Sequence, residues 1–291
     1  LEHTRELGET IEEIAEDKSH VITGEQKCVY VAEQKSEVLK IIQDRADQFK
    51  VSIKVYGQDF KAENICYTNQ GMIFDVVLGE DIYADISIPL LGEHQAKNCA
   101  LALALCKDIL EDLNLQKKKN VLENQDLTEE KNVLENQDLA EEKNILNNMN
   151  LSEIKKKLLK INWPGRMEVL CSNPFILLDA CINGVSCENV IKVLNHLNIE
   201  EAIIVVGIPD DKDYLGVIKA MKKKAFDFIL TKSQNPHYVF TIKQQERLKE
   251  EGIHALRTES VFEAVDLAVK NNKPIVILGT TSVVAEVKKI V

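Results

Sequence analysis

The carboxy-terminal half of the chain alternates between two hydrophobic patterns. Short apolar runs predict buried strands, and between them apolar residues recur every three or four positions, which predicts amphipathic helices. Because alternating strands and helices imply right-handed crossovers, we predict an α/β fold whose parallel sheet is covered by helices on both faces. The predicted strands span 175–179, 202–207, 226–231, 253–257 and 274–279, and the predicted helices span 186–197, 214–224, 237–251, 260–271 and 282–291.

The amino-terminal half shows the same patterns less regularly. Residues 1–18 place Leu7, Ile11, Ile14 and Ala15 on one helical face, so an amphipathic helix is predicted from the start of the chain. The Ala-rich and Leu-rich composition of residues 92–110 predicts a long buried helix. The remaining predictions are a helix at 35–50 and strands at 51–56, 71–78 and 81–90.

A repeat of twelve residues occupies Lys119 to Ile154, with three copies that begin KNVLENQDLTEE, KNVLENQDLAEE and KNILNNMNLSEI. This period is shorter than that of solenoid repeats, so we interpret the repeat as a tandem duplication in a surface connection rather than a binding array. The sequence NWPGR (162–166) then breaks the pattern. We predict two domains, residues 1–160 with an insert at about 117–150, and residues 161–291.

Composition narrows the class of protein without naming a ligand. Of 291 residues, 45% are hydrophobic and 29% are charged, which is typical of a folded globular chain. The net charge of -11 argues against a nucleic-acid-coating protein, although an acidic enzyme can still bind ATP locally. Seven cysteines without a CxxC pair suggest reduced core residues. No apolar run approaches the roughly 20 residues of a membrane span, so a cytoplasmic protein is expected. The chain begins with Leu within a predicted helix, so an upstream module or targeting segment could precede it.

Polar or small residues follow three of the predicted strands at their carboxyl ends. These strands end in Asp179, Gly207 and Gly279, and Asp179 is followed by a break at Asn183 and Gly184 before the next helix. In open α/β sheets, ligands bind where the carboxyl ends of strands meet the amino ends of helices. The three junctions are therefore predicted to line one ligand-binding rim.

Seven motifs together resemble one known family. They are EHTRELGETIEEIAEDK, LLGEHQAKNCALALA, WPGRMEVL, LLDACING, VVGIPDDKD, ILTKSQNPH and ILGTTSVVAEV. Their order and spacing resemble folylpolyglutamate synthase and dihydrofolate synthase, which are ATP-dependent ligases of the Mur ligase superfamily. The resemblance implies part of a P-loop-type ATP-binding domain followed by a Rossmann-like parallel-sheet domain. It also implies ATP and Mg²⁺, an acyl phosphate, folate or dihydropteroate and glutamate as substrates, and a monomer.

The same resemblance implies roles for individual residues, each with a simpler structural alternative. His3 would bind the metal, or be an exposed helix-end residue. Lys18 would carry a metal-binding carbamate, or be a surface lysine. Arg166 would bind phosphate, or form a structural salt bridge. Gln95 and Asn98 would contact adenine, or serve in the cap and first turn of a helix.

At the predicted rim, Asp179 would accept hydrogen bonds from the ribose, with Asn183 beside it. Asp211 and Lys212, with Asp213 next to them, match a family motif that contacts substrate, and a solvated charged turn is the alternative. Thr280 would hold the carboxylate of glutamate through its hydroxyl.

Several positions depart from the family pattern. Ile182 replaces a histidine, Gly184 a proline and His237 an arginine; earlier in the chain Glu2 replaces Asp, and Ser19-His20 replaces Ala-Gly. No GxxxxGK[ST] motif occurs in these residues. If no such motif precedes Leu1, ATP-dependent ligation by this chain is not expected. A catalytically degenerate homologue, and an amide ligase of the same superfamily with another substrate, therefore stay open as alternatives.

Overall fold

The computed structural model describes residues 8–68, 70–123 and 151–290. His3, Leu7 and most of the twelve-residue repeat lie outside these ranges. Contacts divide the chain into two compact units. The first comprises Leu1–Ile65, Phe74–Ile86 and Ala96–Lys157, and the second comprises Cys66–Ile73, Ser87–Gln95 and Leu158–Val291.

The first unit contains two helices beside a small parallel sheet. Helix α1 spans Ile11–Ser19, strand β1 Cys28–Val31, helix α2 Ser36–Phe49 and strand β2 Ser52–Val55, and β1 pairs with β2 in parallel. Residues 1–7 of the helix predicted from the start of the chain lie outside the described ranges, and within these ranges the helix begins only at Ile11. Gly8 has a φ of 128°, and Thr10 is an extended N-cap residue that forms a capping box with Glu13. The helix begins after Thr10 because the side chains of the capping box accept hydrogen bonds from N–H groups that have no partner within the helix.

A three-stranded sheet and the longest described helix follow along the chain. Strands β3, β4 and β5 are neighbours in that order. The long helix predicted over 92–110 is confirmed as part of α3, which begins one residue later, at Glu93. The predictions missed β1 and β3. The elements are β3 Phe60–Thr68, β4 Gly71–Leu78, β5 Asp81–Ile88, α3 Glu93–Glu123 and α4 Leu151–Leu158.

The second unit contains a six-stranded sheet with the order β10-β9-β8-β11-β7-β6. All pairs among the five predicted strands are parallel, which confirms the predicted parallel sheet, and the sequence analysis missed the edge strand β6, which pairs with β7 in antiparallel orientation. Only two residues separate β6 from β7, and so short a connection permits only an antiparallel hairpin. The strands are β6 Glu168–Ser172, β7 Phe175–Asp179, β8 Ala202–Gly207, β9 Ala225–Leu230, β10 Leu256–Arg257 and β11 Ile275–Gly279.

Five helices follow or connect these strands. The helix predicted over 237–251 begins only at Lys243, because Thr241 in the preceding loop is bonded to Asp210 through its hydroxyl at 2.6 Å. Arg257 holds the same loop by donating to the carbonyl of Thr241 at 2.7 Å. The helices are α5 Gly184–His196, α6 Tyr214–Met221, α7 Lys243–Glu250, α8 Val261–Val269 and α9 Thr281–Val287.

The core of the second unit lies around its central strands. Every residue of β8 and β11 is buried, as expected for strands covered on both faces. Helices α8 and α9 pack on one side of these strands through residues such as Val265 and Val284. This rigid sheet positions the loops at its carboxyl rim. The seven cysteines are all free thiols, and Cys66 and Cys106 are exposed rather than in the core.

Candidate functional site

The three predicted strand ends lie side by side. Strands β8, β11 and β7 are neighbours, with Gly279 paired to Gly207 and Leu278 paired to Asp179. A Cβ on Gly279 would lie 2.7 Å from the carbonyl oxygen of Gly207, so only glycine fits this close approach. The prediction that these junctions share one rim of the sheet is confirmed.

Asp179 is the buried carboxylate of this rim, with 6% of its surface exposed. Its Oδ2 accepts a hydrogen bond from the backbone N–H of Met167 at 2.8 Å. Burial raises the pKa of Asp179 to about 6, although the N–H groups of Met167 and Cys181 and the charge of Arg166 act in the opposite direction. A carboxyl group with a pKa raised by burial at a strand end is a typical feature of functional sites.

Arg166 lies close enough to Asp179 to lower its pKa, and its own side chain is exposed. Among the described residues, the guanidinium of Arg166 forms no ion pair or hydrogen bond, so the salt bridge considered as its structural alternative is not formed there. The turn that carries it is fixed by Gly165, whose carbonyl accepts from the N–H of Ala180 at 2.8 Å. Gly165 has a φ of 68°, and a Cβ there would lie 2.6 Å from Val284. The fold thus places a cation that has no partner among the described residues beside a buried carboxylate.

Asn183 and Asp213 organise the helix amino ends at the same rim. The Oδ1 of Asn183 accepts from the N–H of Ser186 at 2.8 Å, which makes Asn183 the N-cap of α5. Asp213 accepts from Gly216 at 3.0 Å as the N-cap of α6, and also from Gly184 at 2.9 Å in the first turn of α5. Both side chains therefore cap helices. A contact between Asn183 and the nucleotide stays a prediction.

The neighbouring pair of charges is solvent-facing. Asp211 and Lys212 are exposed and form an ion pair with each other at 3.1 Å. This contact fits the solvated turn that was weighed as their alternative, and their role toward substrate stays a prediction.

Thr280 is buried, with 4% of its surface exposed, and its hydroxyl has no hydrogen-bond partner within the part of the chain that the structure describes. Two further buried hydroxyls without partners, those of Thr231 and Ser233, follow β9 near the same rim. Sequence reasoning missed both residues. The available signal was a pair of hydroxyls directly after a predicted strand.

Comparison with known proteins finds one matching domain family and several similar proteins. The Mur ligase middle domain matches residues 2–106. The chain is 27% identical over 221 residues to a probable bifunctional folylpolyglutamate synthase/dihydropteroate synthase of Halobacterium salinarum, covering 76% of this chain and 22% of that protein. It is 24% identical over 222 residues to the dihydrofolate synthase/folylpolyglutamate synthase of Bacillus subtilis, covering 76% of this chain and 44% of that protein. Residues 2–106 are thus similar to the Mur ligase middle domain, and the chain is similar to proteins named folylpolyglutamate synthase and dihydrofolate synthase.

Solved structures of folylpolyglutamate synthases share this fold. The enzyme of Mycobacterium tuberculosis, solved with ADP and AMPPCP, matches with a TM-score of 0.73 and 19% identity, covering 96% of this chain and 59% of that one. The enzyme of Thermotoga maritima matches with a TM-score of 0.69 and 22% identity, covering 97% and 57%. The chain spans less than half of the length of the two curated relatives named above.

The family positions in the first part of the chain are only partly described. Gln95 is buried in the first turn of α3, where its N–H donates to Gly92 at 2.7 Å, and Asn98 is exposed one turn later. Residues three apart share one face of a helix, so both side chains can approach one ligand. Their contact with adenine stays a prediction.

The predicted metal ligands are not assembled by the described residues. Lys18 lies exposed in the last turn of α1, where it lines an apolar cavity of about 340 Å³. No group of three or more His, Cys, Asp and Glu side chains that could hold a metal occurs in residues 8–68, 70–123 and 151–290. Across the same ranges, no helix combines the length and apolar character that crossing a membrane requires.

Proposed function

We propose that the protein containing this chain is an ATP-dependent ligase that joins glutamate to a folate-type carboxylate. The match of residues 2–106 to the Mur ligase middle domain supports this proposal, and so do the names of the curated relatives. The observation that carries it is the exposed Arg166, whose guanidinium has no partner among the described residues, beside the buried carboxylate of Asp179. This pairing offers a planar cation for phosphate and an acceptor for sugar hydroxyls.

The chemistry of these side chains fits a bound nucleotide. Asp179 has a pKa of about 6, so it is mostly ionised at neutral pH and accepts hydrogen bonds from ribose hydroxyls. Arg166 would neutralise charge on the phosphates through two parallel N–H groups. Gln95 and Asn98 would contact adenine, and Asn183 would approach the ribose from its cap position.

In the proposed reaction, an oxygen of the substrate carboxylate attacks the γ-phosphorus of ATP and ADP leaves. The glutamate amine then attacks the resulting acyl phosphate, the carbon–oxygen bond to phosphate breaks, and an amide forms. Arg166 would stabilise the negative charge that moves between these groups. Thr280 would hold a carboxylate of glutamate, with Asp211 and Lys212 as outer contacts.

Magnesium belongs to the proposal through the phosphates of ATP, whose charge it would neutralise when bound. His3 and a carbamylated Lys18 would be its ligands from this chain. The described residues alone do not fit a complete magnesium site, because Lys18 is exposed and no cluster of acidic or imidazole ligands accompanies it there. No catalytic step is therefore derived through the metal.

The proposal also includes the organisation of the protein. Residues 1–160, with the repeat insert at about 117–150, would be part of the ATP-binding domain, and residues 161–291 would be the carboxy-terminal domain. We propose a cytoplasmic monomer that acts on folate or dihydropteroate.

One observation favours a second candidate function. Ile182 occupies the histidine position of the family motif, and its half-buried side chain cannot donate, accept or titrate. A homologue that binds nucleotide without turnover is therefore the alternative. A related amide ligase with another substrate would also tolerate this change.

The test is ATP-dependent incorporation of labelled glutamate by the full-length protein. Arg166→Ala should reduce incorporation about tenfold to a hundredfold, since a hydrogen bond to a charged group contributes roughly 1.5–3 kcal/mol. Arg166→Lys should recover part of the activity, and Lys249→Ala, which removes an exposed cation of the same unit, should have no effect. Full activity of Arg166→Ala would overturn the assignment, whereas nucleotide binding without incorporation in the wild type would favour the silent homologue.

A further inference from the structure

Two buried cysteines lie at the amino end of helix α5. Cys181 is in the loop between strand β7 and the helix, and Cys187 is the fourth residue of the helix. They are 3% and 0% exposed, and both are free thiols. The proposed ligase reaction uses neither side chain. Because two neighbouring thiols can form a disulfide, their geometry decides what this pair can do.

One carbonyl oxygen brings the two cysteines together. The Sγ of Cys181 donates to the carbonyl of Asn183 at 3.4 Å, and the backbone N–H of Cys187 donates to the same oxygen at 3.2 Å. The Sγ of Cys181 also lies 3.2 Å from the hydroxyl oxygen of Ser186, the residue before Cys187. The sulfur of Cys181 is thus held against the first turn of the helix that carries Cys187.

The surroundings of the two thiols make them chemically different. The contact with the thiol of Cys187 lowers the pKa of Cys181, and the hydroxyl of Ser186 adds to this effect, whereas burial and the charge of Asp179 act in the opposite direction. The same contact raises the pKa of Cys187, and burial raises it further. A thiolate reacts with oxidants, and a neighbouring thiol then attacks the oxidised sulfur. These positions suit Cys181 as the nucleophile and Cys187 as the resolving thiol.

We propose that Cys181 and Cys187 are a redox-active pair, which hydrogen peroxide converts to an intramolecular disulfide and a dithiol reductant restores. Peroxide is the oxidant in this proposal because it is scarcely larger than water, whereas bulkier oxidants are excluded from a sulfur that is 3% exposed. The spacing of the pair, with five residues between the cysteines, closes only a small loop at the start of α5.

The oxidation proceeds in two balanced steps. The sulfur of Cys181 attacks one oxygen of peroxide, the O–O bond breaks, and the departing hydroxide takes the thiol proton and leaves as water. The sulfur of Cys187 then attacks the sulfenic acid on Cys181, the S–O bond breaks, and a second water leaves with the proton of Cys187. The two thiols lose two electrons, and peroxide is reduced to water.

The disulfide changes the loop that carries the proposed ribose contacts. The N–H of Cys181 bonds to Asp179, and Asn183 caps α5. A disulfide bond is shorter than any contact between two thiols, so its formation pulls Cys181 toward α5 and shifts this loop. Oxidation should therefore weaken nucleotide binding. Only this consequence rests on the proposed function, and formation of the disulfide does not.

The first test maps disulfides in the full-length protein after treatment with hydrogen peroxide and alkylation of the remaining thiols. Tandem mass spectrometry locates the link within residues 167–192, a single tryptic peptide that also contains Cys171. We expect a link between Cys181 and Cys187 that dithiothreitol removes. Unlinked cysteines at both positions, irreversible oxidation of either, or a link to another cysteine instead would overturn the inference.

The matched control for this mapping is Cys171→Ser. The thiol of Cys171 also donates to a carbonyl two residues later, that of Asn173, at 3.4 Å. This variant removes a thiol with the same local bond and should still form the link between Cys181 and Cys187. Loss of the link in Cys171→Ser would show that Cys171 takes part, which contradicts the proposed pair.

The second test separates the roles of the two thiols with dimedone, which labels sulfenic acids. In Cys187→Ala, peroxide should leave Cys181 as a sulfenic acid that dimedone labels. In Cys181→Ala, dimedone should not label Cys187. An unlabelled Cys181 in the first variant, or a labelled Cys187 in the second, would overturn the assigned roles. Should a variant not fold, the mapping in the wild type still decides whether the pair is redox-active.

The third test measures binding of AMPPCP, a non-hydrolysable ATP analogue, by the full-length protein in its dithiol and disulfide forms. The disulfide form should bind at least fivefold more weakly, dithiothreitol should restore the affinity, and peroxide should not change the affinity of Cys181→Ala. Equal affinity of the two forms would overturn the effect on the loop. No binding by the dithiol form would instead contradict the proposed function, while the mapped disulfide would still decide the redox inference.

Discussion

Asp179 should cost the folded protein stability at neutral pH, because it is ionised in a buried position. Its pKa is about 6 in the fold against an ordinary value of 3.8, and this difference corresponds to roughly 3 kcal/mol. The folded state binds the proton more tightly than the unfolded state does. Stability should therefore fall as the pH rises from about 4 to about 6 and then level off.

Replacing Asp179 by Asn tests this reasoning. The amide oxygen can still accept from Met167, whose N–H bonds to Oδ2 at 2.8 Å in the wild type. The second interaction, with the N–H of Cys181, would be lost at a cost of about 1 kcal/mol. At pH 7 the variant should thus be more stable than the wild type by about 1–2 kcal/mol.

The assay is urea unfolding of both proteins between pH 4.5 and pH 8 at constant ionic strength. In Asp179→Asn, the free energy of unfolding should lack the decrease between pH 4.5 and pH 6 that Asp179 causes in the wild type. The control Asp44→Asn changes an exposed carboxylate on α2 and should show the pH dependence of the wild type. A variant that is less stable than the wild type at pH 7, with a parallel pH profile, would refute the reasoning. In that case the carboxylate would contribute only as a structural acceptor.

Three further outcomes follow from the same rim. Asp213→Ala should destabilise the fold by about 1–2 kcal/mol in urea unfolding, because the N–H groups of Gly184 and Gly216 lose their acceptor; an unchanged midpoint would contradict this capping role. Gly165→Ala should destabilise by more than about 1 kcal/mol, since alanine at a φ of 68° is strained and its Cβ would meet Val284; a neutral result in the same assay would contradict the geometry. Ile182→His should raise ATP-dependent glutamate incorporation in a silent homologue that has only this lesion, and no gain would show that Ile182 alone does not limit turnover.

The carboxyl rim could be predicted from the sequence because its strands are fully buried. Runs of apolar residues such as those of β8 and β11 indicate a strand covered on both faces, and the residue at which each run stops marks the rim. The edge strand β6 was missed because its residues are only partly buried and mix Glu, Cys and Ser with apolar side chains. Local patterns are weakest where tertiary contacts decide the structure.

Tertiary contacts also explain the other misses. The spacing of the apolar residues before Lys243 is typical of a helix. Hydrogen bonds that Thr241 forms with Asp210 and Arg257 nevertheless hold this segment as a loop. The burial of Thr231 and Ser233 depends on the packing of that loop against α9, which no short-range pattern reveals. By contrast, the proximity of Arg166 to Asp179 agrees with the expectation from the family motifs, although a contact with nucleotide is still a prediction.

The most direct test of the central claim is equilibrium binding of AMPPCP, a non-hydrolysable ATP analogue, to the full-length protein and to its Arg166→Ala variant. We predict that the variant binds about tenfold to a hundredfold more weakly with an unchanged unfolding midpoint, because the side chain of Arg166 is exposed and its guanidinium bonds to no described residue. Lys249→Ala should bind the analogue like the wild type. Equal affinity of Arg166→Ala and the wild type would contradict the claim that this rim binds ATP.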